Sequence, residues 1–217
     1  MNKLLSLFTL AIAACSLPAL AQDVQGDALA GSKKNALCIG CHGIKGFHTA
    51  FPETHRVPKL SGQSAGYLTA ALQAYRSGER KHPSMRAIAS TLSAQDMADL
   101  AAYYESTGTG ASLPATAAAS SGPADALVAR AGCTSCHGAN FSKPIAPNYP
   151  KIAGQHADYV YVALKAYKTT DKPLIGRANP IMGGIAAQFS NAELKVLAEY
   201  VGSLPSELQT IQRDRVK

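Results

Sequence analysis

Apolar residues in this chain recur at helical spacing, in stretches of about three turns set between polar segments rich in Gly and Pro. One stretch, from about Ala65 to Arg76, puts Leu68, Leu72 and Tyr75 on one face. A second, from about Ala157 to Lys168, does the same with Val160, Leu164 and Tyr167. Further helices are predicted to begin at Ser93 and at Ser190, each followed three residues later by an acid (Asp96 or Glu193) in capping-box fashion. Leu92 and Met97 flank the first start, and Phe189 and Leu194 the second, with the spacing of a hydrophobic staple. Shorter helices are expected from Asp27 to about Ala36 and from Asp125 to Ala131. No run alternates apolar and polar residues over a strand's length, so the expected fold class is all-α.

The first apolar run has a different meaning. It extends from Leu4 to Ala14 behind Lys3, and is followed by Pro18 and the small-residue site Ala19-Leu20-Ala21. This reads as a secretory signal peptide, residues 1–21, too short to remain as a membrane span. A lipid anchor on Cys15 is the weaker alternative, because Ile12-Ala13-Ala14 lacks the usual leucine of a lipobox. Either route takes the mature chain out of the cytoplasm, to a periplasmic location, and no later segment is long and apolar enough to cross a membrane.

The remaining chain repeats itself. Pro58-Lys59-Leu60-Ser61-Gly62-Gln63 matches Pro150-Lys151-Ile152-Ala153-Gly154-Gln155, and Tyr67, Leu72 and Tyr75 fall on Tyr159, Leu164 and Tyr167. Between the copies, Thr107 to Ala124 is rich in Gly, Ala, Ser, Thr and Pro and reads as a linker. The expected organisation is a first domain at 22–106, a linker at 107–124, a second domain at 125–204 and a tail at 205–217.

Composition sharpens the problem. Each half is small for an independent core, yet the chain has no Trp and only 5 Phe. That composition is what a centre filled largely by something other than side chains would show. The formal net charge is +7, but Lys and Arg are scattered rather than gathered into a stripe, which argues against nucleic acid. The excess is better suited to steering an acidic redox partner.

The missing bulk is supplied by a motif that occurs twice, as Cys38-Ile39-Gly40-Cys41-His42 and Cys133-Thr134-Ser135-Cys136-His137. Cys-x-x-Cys-His is the attachment signature of c-type haem, with both thiols forming thioethers and the histidine ligating iron. A zinc site would space its cysteine pairs about 15–20 residues apart, which these are not, and disulfides leave both histidines unexplained. Two covalently bound haem c groups, each with one iron, are therefore expected. Removal of Cys15 with the signal would leave no spare thiol.

A second axial ligand must come from far along the chain. Met85 in His82-Pro83-Ser84-Met85 and Met182 in Asn179-Pro180-Ile181-Met182 occupy equivalent places, in what reads as an irregular loop before the last helix. His42, Met85, His137 and Met182 are thus the expected iron ligands. Met97 is excluded because its counterpart is Leu194, and His82 because its counterpart is Asn179. His48, His55 and His156 read as surface or loop residues. A thioether ligand favours Fe(II), raises the potential and closes the iron to exogenous ligands.

With these residues in hand the chain resembles the dihaem cytochromes c4, built of two tandem class I cytochrome c domains. The Cys-x-x-Cys-His motifs, Pro58-Lys59-Leu60 with Gly62-Gln63, Pro150-Lys151-Ile152 with Gly154-Gln155, Tyr167-Lys168 and the Pro-x-Met segments carry the likeness. The resemblance implies that the carbonyls of Pro58 and Pro150 accept the proximal histidine Nδ1–H, that the propionate sides of the two haems lie near each other, and that electrons pass from a quinol-oxidising bc complex to a terminal oxidase. One departure is the first loop, Ile44 to Val57, which is longer than its twin and carries Phe47, His48, Phe51 and His55. Three functions compete: an electron carrier and not an enzyme; the cytochrome subunit of a periplasmic dehydrogenase such as flavocytochrome sulfide dehydrogenase; and a dihaem peroxidase or thiosulfate-oxidising enzyme. The paired methionines favour the first.

Overall fold

The computed structural model describes residues 24–120 and 122–212. The signal segment and Cys15 lie outside the described residues. In chain order the first half contains α1 (Ala28–Lys34), α2 (Ala36–His42), β1 (His48–Thr49), β2 (His55–Arg56), α3 (Ala65–Ser77), β3 (Arg80–Lys81), α4 (Pro83–Ser90) and α5 (Ala94–Ser106). The second half contains α6 (Ala124–Ala131), α7 (Cys133–His137), α8 (Ala157–Tyr167), β4 (Gly176–Arg177), α9 (Pro180–Ala186) and α10 (Asn191–Ser203).

The long helices begin where the sequence places them. Ser93 and Ser190 each form a complete capping box, with Asp96 and Glu193, and thereby satisfy donors that the first turn leaves unpaired. Met97 is fully buried, as befits a core residue. Two expectations need correction. The methionine segments are not irregular loops: Met85 and Met182 sit in the first turns of the short helices α4 and α9. The physical reason is local. Pro83 and Pro180 stand at the first helical position, where a missing N–H costs nothing, and His82 and Asn179 cap the exposed amides of Met85 and Met182. Among the described residues there are also four strands, but each is two residues long, below any length that periodicity can reveal.

Side-chain cores are modest, as the composition requires. Leu68, Ala101 and Tyr104 cluster in the first half, and Leu127, Phe189, Leu194 and Leu197 in the second. The α1–α5 crossing is unusually close, since a Cβ on Gly31 would lie 2.0 Å from the Asp99 carbonyl oxygen. Gly31→Ala is therefore expected to destabilise by about 3 kcal/mol, overriding the better helix propensity of alanine. Gly184→Ala, in α9 with nothing within 4 Å of its new methyl, is expected to be neutral or gain up to about 1 kcal/mol. Denaturant melts of the two variants check the pair.

The halves meet through the repeated hexapeptide. Gln63 donates from Nε2 to the Lys151 carbonyl (2.8 Å) and accepts at Oε1 from the Lys151 N–H (2.9 Å). Gln155 does the same to Lys59, at 2.9 and 3.0 Å. Lys59 Nζ donates to the Gly154 carbonyl and Lys151 Nζ to the Gly62 carbonyl, completing a pseudo-twofold set. The long first loop reaches across as well: Arg56 binds Asp158 at 3.0 Å, and Glu53 pairs with Lys165. The linker is not free chain; its Ala117 N–H and Ala118 carbonyl bond to Ala139 and Tyr200 of the second half. The tail packs back onto the first half, where the Gln209 N–H donates to the Ser61 carbonyl.

Candidate functional site

One continuous cavity of about 620 Å³ opens between the helices and runs through both halves. Cys38, Cys41, His42 and Met85 line it on one side, and Cys133, Cys136, His137 and Met182 on the other. The structure thus brings together all eight of the motif and methionine residues. Helix α2 carries the first Cys-x-x-Cys-His in continuous helix, and α7 the second, so one turn gathers two thiols and an imidazole. All four thiols are free of disulfides. Burial pushes Cys38 and Cys133 up, keeping them as neutral thiols in the bare polypeptide.

The two imidazoles are held alike. His42 Nδ1 lies 2.9 Å from the Pro58 carbonyl oxygen, and His137 Nδ1 lies 2.9 Å from that of Pro150. A carbonyl can only accept, so Nδ1 carries the proton and Nε2 keeps its lone pair for a metal. Burial lowers both histidines, and the carbonyl contact only partly opposes it, so the neutral form dominates. The donor set fits covalent haem: two thiols, one oriented imidazole and one thioether in each half, around an apolar wall that includes Leu60, Leu72, Ile88, Leu164 and Ile185.

Other residues have different work. His82 caps α4 through Nδ1 and meets the Phe51 ring edge-on at 5.6 Å. His55, expected as a surface or loop residue, is buried in β2 with Nδ1 on the Glu53 carbonyl. His156 caps nothing by side chain, and burial with Arg56 and Lys59 nearby lowers it to about 4.

Sequence reasoning missed one feature of the cavity wall. Arg80 and Arg177 stand directly opposite each other in the β3–β4 pair, which crosses between the halves. Arg80 donates to Tyr67 Oη (3.1 Å) and Tyr159 Oη (2.6 Å), and Arg177 donates to Tyr159 Oη (3.1 Å). Arg80 also lies over the Tyr75 ring at 4.7 Å, and Arg177 over Tyr167 at 5.4 Å. Burial raises Tyr67 to about 12, whereas at Tyr159 the two guanidiniums outweigh burial and bring it to about 8. The only advance signal was the equivalent spacing of Arg80 to Met85 and Arg177 to Met182.

Two helical domains in tandem, each with a thiol pair, an oriented histidine and a methionine around a shared apolar cavity, define a double c-type cytochrome. The family described as Cytochrome c matches residues 28–108 and 123–205. More narrowly, the chain belongs to the cytochrome c4 family. It is 34% identical to cytochrome c4 of Azotobacter vinelandii over 203 residues, covering 82% of this chain and 90% of that protein. It also resembles a thiosulfate dehydrogenase electron acceptor of Stutzerimonas stutzeri, at 30% identity over 89% of this chain and 92% of the relative. Reduced recombinant cytochrome c4 from Pseudomonas stutzeri superimposes with a TM-score of 0.59 at 30% identity, covering 83% of this chain and 100% of that one. Membership makes the chain a dihaem electron carrier, with the haems covalently bound.

Proposed function

We propose that Cys38 and Cys41 hold one haem and Cys133 and Cys136 the other, with His42 and Met85, and His137 and Met182, as axial iron ligands. The observation that carries this is the convergence of both sets on one continuous cavity. When bound, each haem supplies reversible one-electron iron chemistry. The protein's part is positional and electrostatic. Pro58 and Pro150 fix the imidazole orientation and tautomer, and the thioethers of Met85 and Met182 would be the second protein ligands, keeping water and oxygen off the iron. The apolar wall would keep solvent from the metal, and the Gln–Lys hydrogen bonds hold the two pockets in fixed relation.

In this reading the protein works in the periplasm, carrying single electrons from a quinol-oxidising bc complex toward a terminal oxidase. The relative named for accepting electrons from thiosulfate dehydrogenase supports a second donor class, a periplasmic dehydrogenase. Among the described residues no helix is long and apolar enough to cross a membrane. The first loop, the linker and the described part of the tail, which a permanent enzyme subunit could offer to its partner, each make contacts between or within the two halves.

The test is spectroscopic. Purified holoprotein is expected to contain two covalent haems per chain, and the reduced form should keep its absorption bands when carbon monoxide is added. A band shift in half of the haem would mean an open iron site, and would move the reading to a peroxidase or thiosulfate-oxidising enzyme.

A further inference from the structure

We propose that Arg80 and Arg177 form one carboxylate-binding site, shared by the two halves, that takes the acidic side chains of both haems, so that each arginine acts on both redox centres. The inference rests on the assignment of the two haem pockets above. It begins from a charge that the polypeptide leaves unbalanced. Both arginines line the cavity, and a guanidinium stays protonated even when buried. Arg80 is only 9% exposed. Like charges directly opposite in an antiparallel pair repel, and desolvation adds to that cost.

Among the described residues, no carboxylate lies within ion-pair distance of either arginine. The tyrosines offer oxygen lone pairs and ring faces, not formal charge; even Tyr159, brought to about 8, is mostly neutral at pH 7. Arg80 Nε is buried with no hydrogen-bond partner at all. A buried guanidinium with an orphaned N–H, facing a cavity, is built for a planar anion that its fork can hold in two-point fashion.

The choice of anion follows from the site. The cavity that both arginines face is the one that receives the haems, and each haem carries its own tethered carboxylates. The sharing follows from connectivity. Arg80 comes from the first half but donates to Tyr159 of the second, and Tyr159 accepts from both arginines. The first half's guanidinium is thus anchored in the second half, and both guanidiniums converge on the one Tyr159 oxygen across the β3–β4 pair. Removal of either cation leaves carboxylate charge uncompensated beside both centres, which favours the oxidised iron.

The experiment uses holoprotein in three arms: wild type, the Arg80→Gln and Arg177→Gln variants, and the charge-keeping Arg80→Lys and Arg177→Lys variants. Haem content and carbon monoxide silence are measured first on every sample; if the wild type lacks two closed haems, the pocket assignment falls and this inference with it. Spectroelectrochemical titration then resolves the two one-electron waves. Each glutamine variant is expected to shift both waves downward, and each lysine variant to restore most of the shift. If haem content and closure are intact but one wave alone moves, or neither does, the shared site is wrong while the pocket assignment stands. Should the glutamine variants fail to take up haem, the lysine pair decides, because a compact ammonium replacing a two-point fork still predicts a smaller downward shift in both waves. Inorganic phosphate added to the wild type should leave both waves unmoved. A phosphate-dependent shift abolished by Arg80→Gln would make this a site for free anions, and would overturn the proposal.

Discussion

Met85→Ala and Met182→Ala are each expected to open one iron of the two and leave the other closed. In the reduced variant, carbon monoxide should shift the absorption bands of half the haem. The potential of the opened site should fall on the order of 100 mV, within the roughly 0.8 V range that axial ligands span. The direction follows from ligand chemistry: a neutral, soft thioether stabilises Fe(II), and water in its place does not. Each methionine's backbone is fixed by a proline and a capped amide at the start of a short helix, so the loss should be local. His82 is the natural rival in the first half, three residues from Met85. Its Nδ1 is already committed to the Met85 amide, and its counterpart in the second half is Asn179, which cannot ligate iron. His82→Ala should accordingly leave the protein closed to carbon monoxide. An unchanged spectrum and potential in either methionine variant would remove that methionine from the iron.

The reading of residues reached far where the signals are local. The haem motifs, the internal repeat, the capping boxes at Ser93 and Ser190 and the buried role of Met97 all depend on neighbours within a few positions. Helices α4 and α9 were missed although their signals were present, because seven or eight residues with proline inside resemble a loop when apolar period is the criterion. The β3–β4 pair was invisible for a deeper reason. It joins segments about 96 residues apart, and it sets Arg80 against Arg177, a pairing that local rules count as unfavourable. Such a violation signals a partner outside the polypeptide. The hexapeptide repeat lay between these cases: its recurrence was plain, but recurrence alone does not tell a pocket wall from an interface.

The structure gives that hexapeptide a specific task, and Gln63→Ala or Gln155→Ala is expected to cost about 3 kcal/mol each. Each of these two glutamines satisfies three backbone groups with one amide. Gln63 serves the N–H and carbonyl of Lys151 and the N–H of Ser64, and Gln155 serves Lys59 and His156. Both are nearly fully buried, so truncation leaves these groups without water to replace the lost bonds. Gln→Glu is a stricter probe, because a carboxylate oxygen in place of Nε2 faces a carbonyl oxygen and has nothing to donate; at neutral pH it should cost more than alanine. Pseudo-twofold symmetry predicts similar costs at the two positions, although no local sequence feature requires it. Because both arms hold one interface, an interface opened by the first loss has less to lose at the second, and the double variant should fall short of additivity. Guanidinium melts of the holoprotein, read at the haem bands, test this. A neutral effect at either glutamine would mean that the halves are held by the loop and tail contacts at Arg56–Asp158 and Gln209–Ser61, and that the repeated motif serves its own half alone.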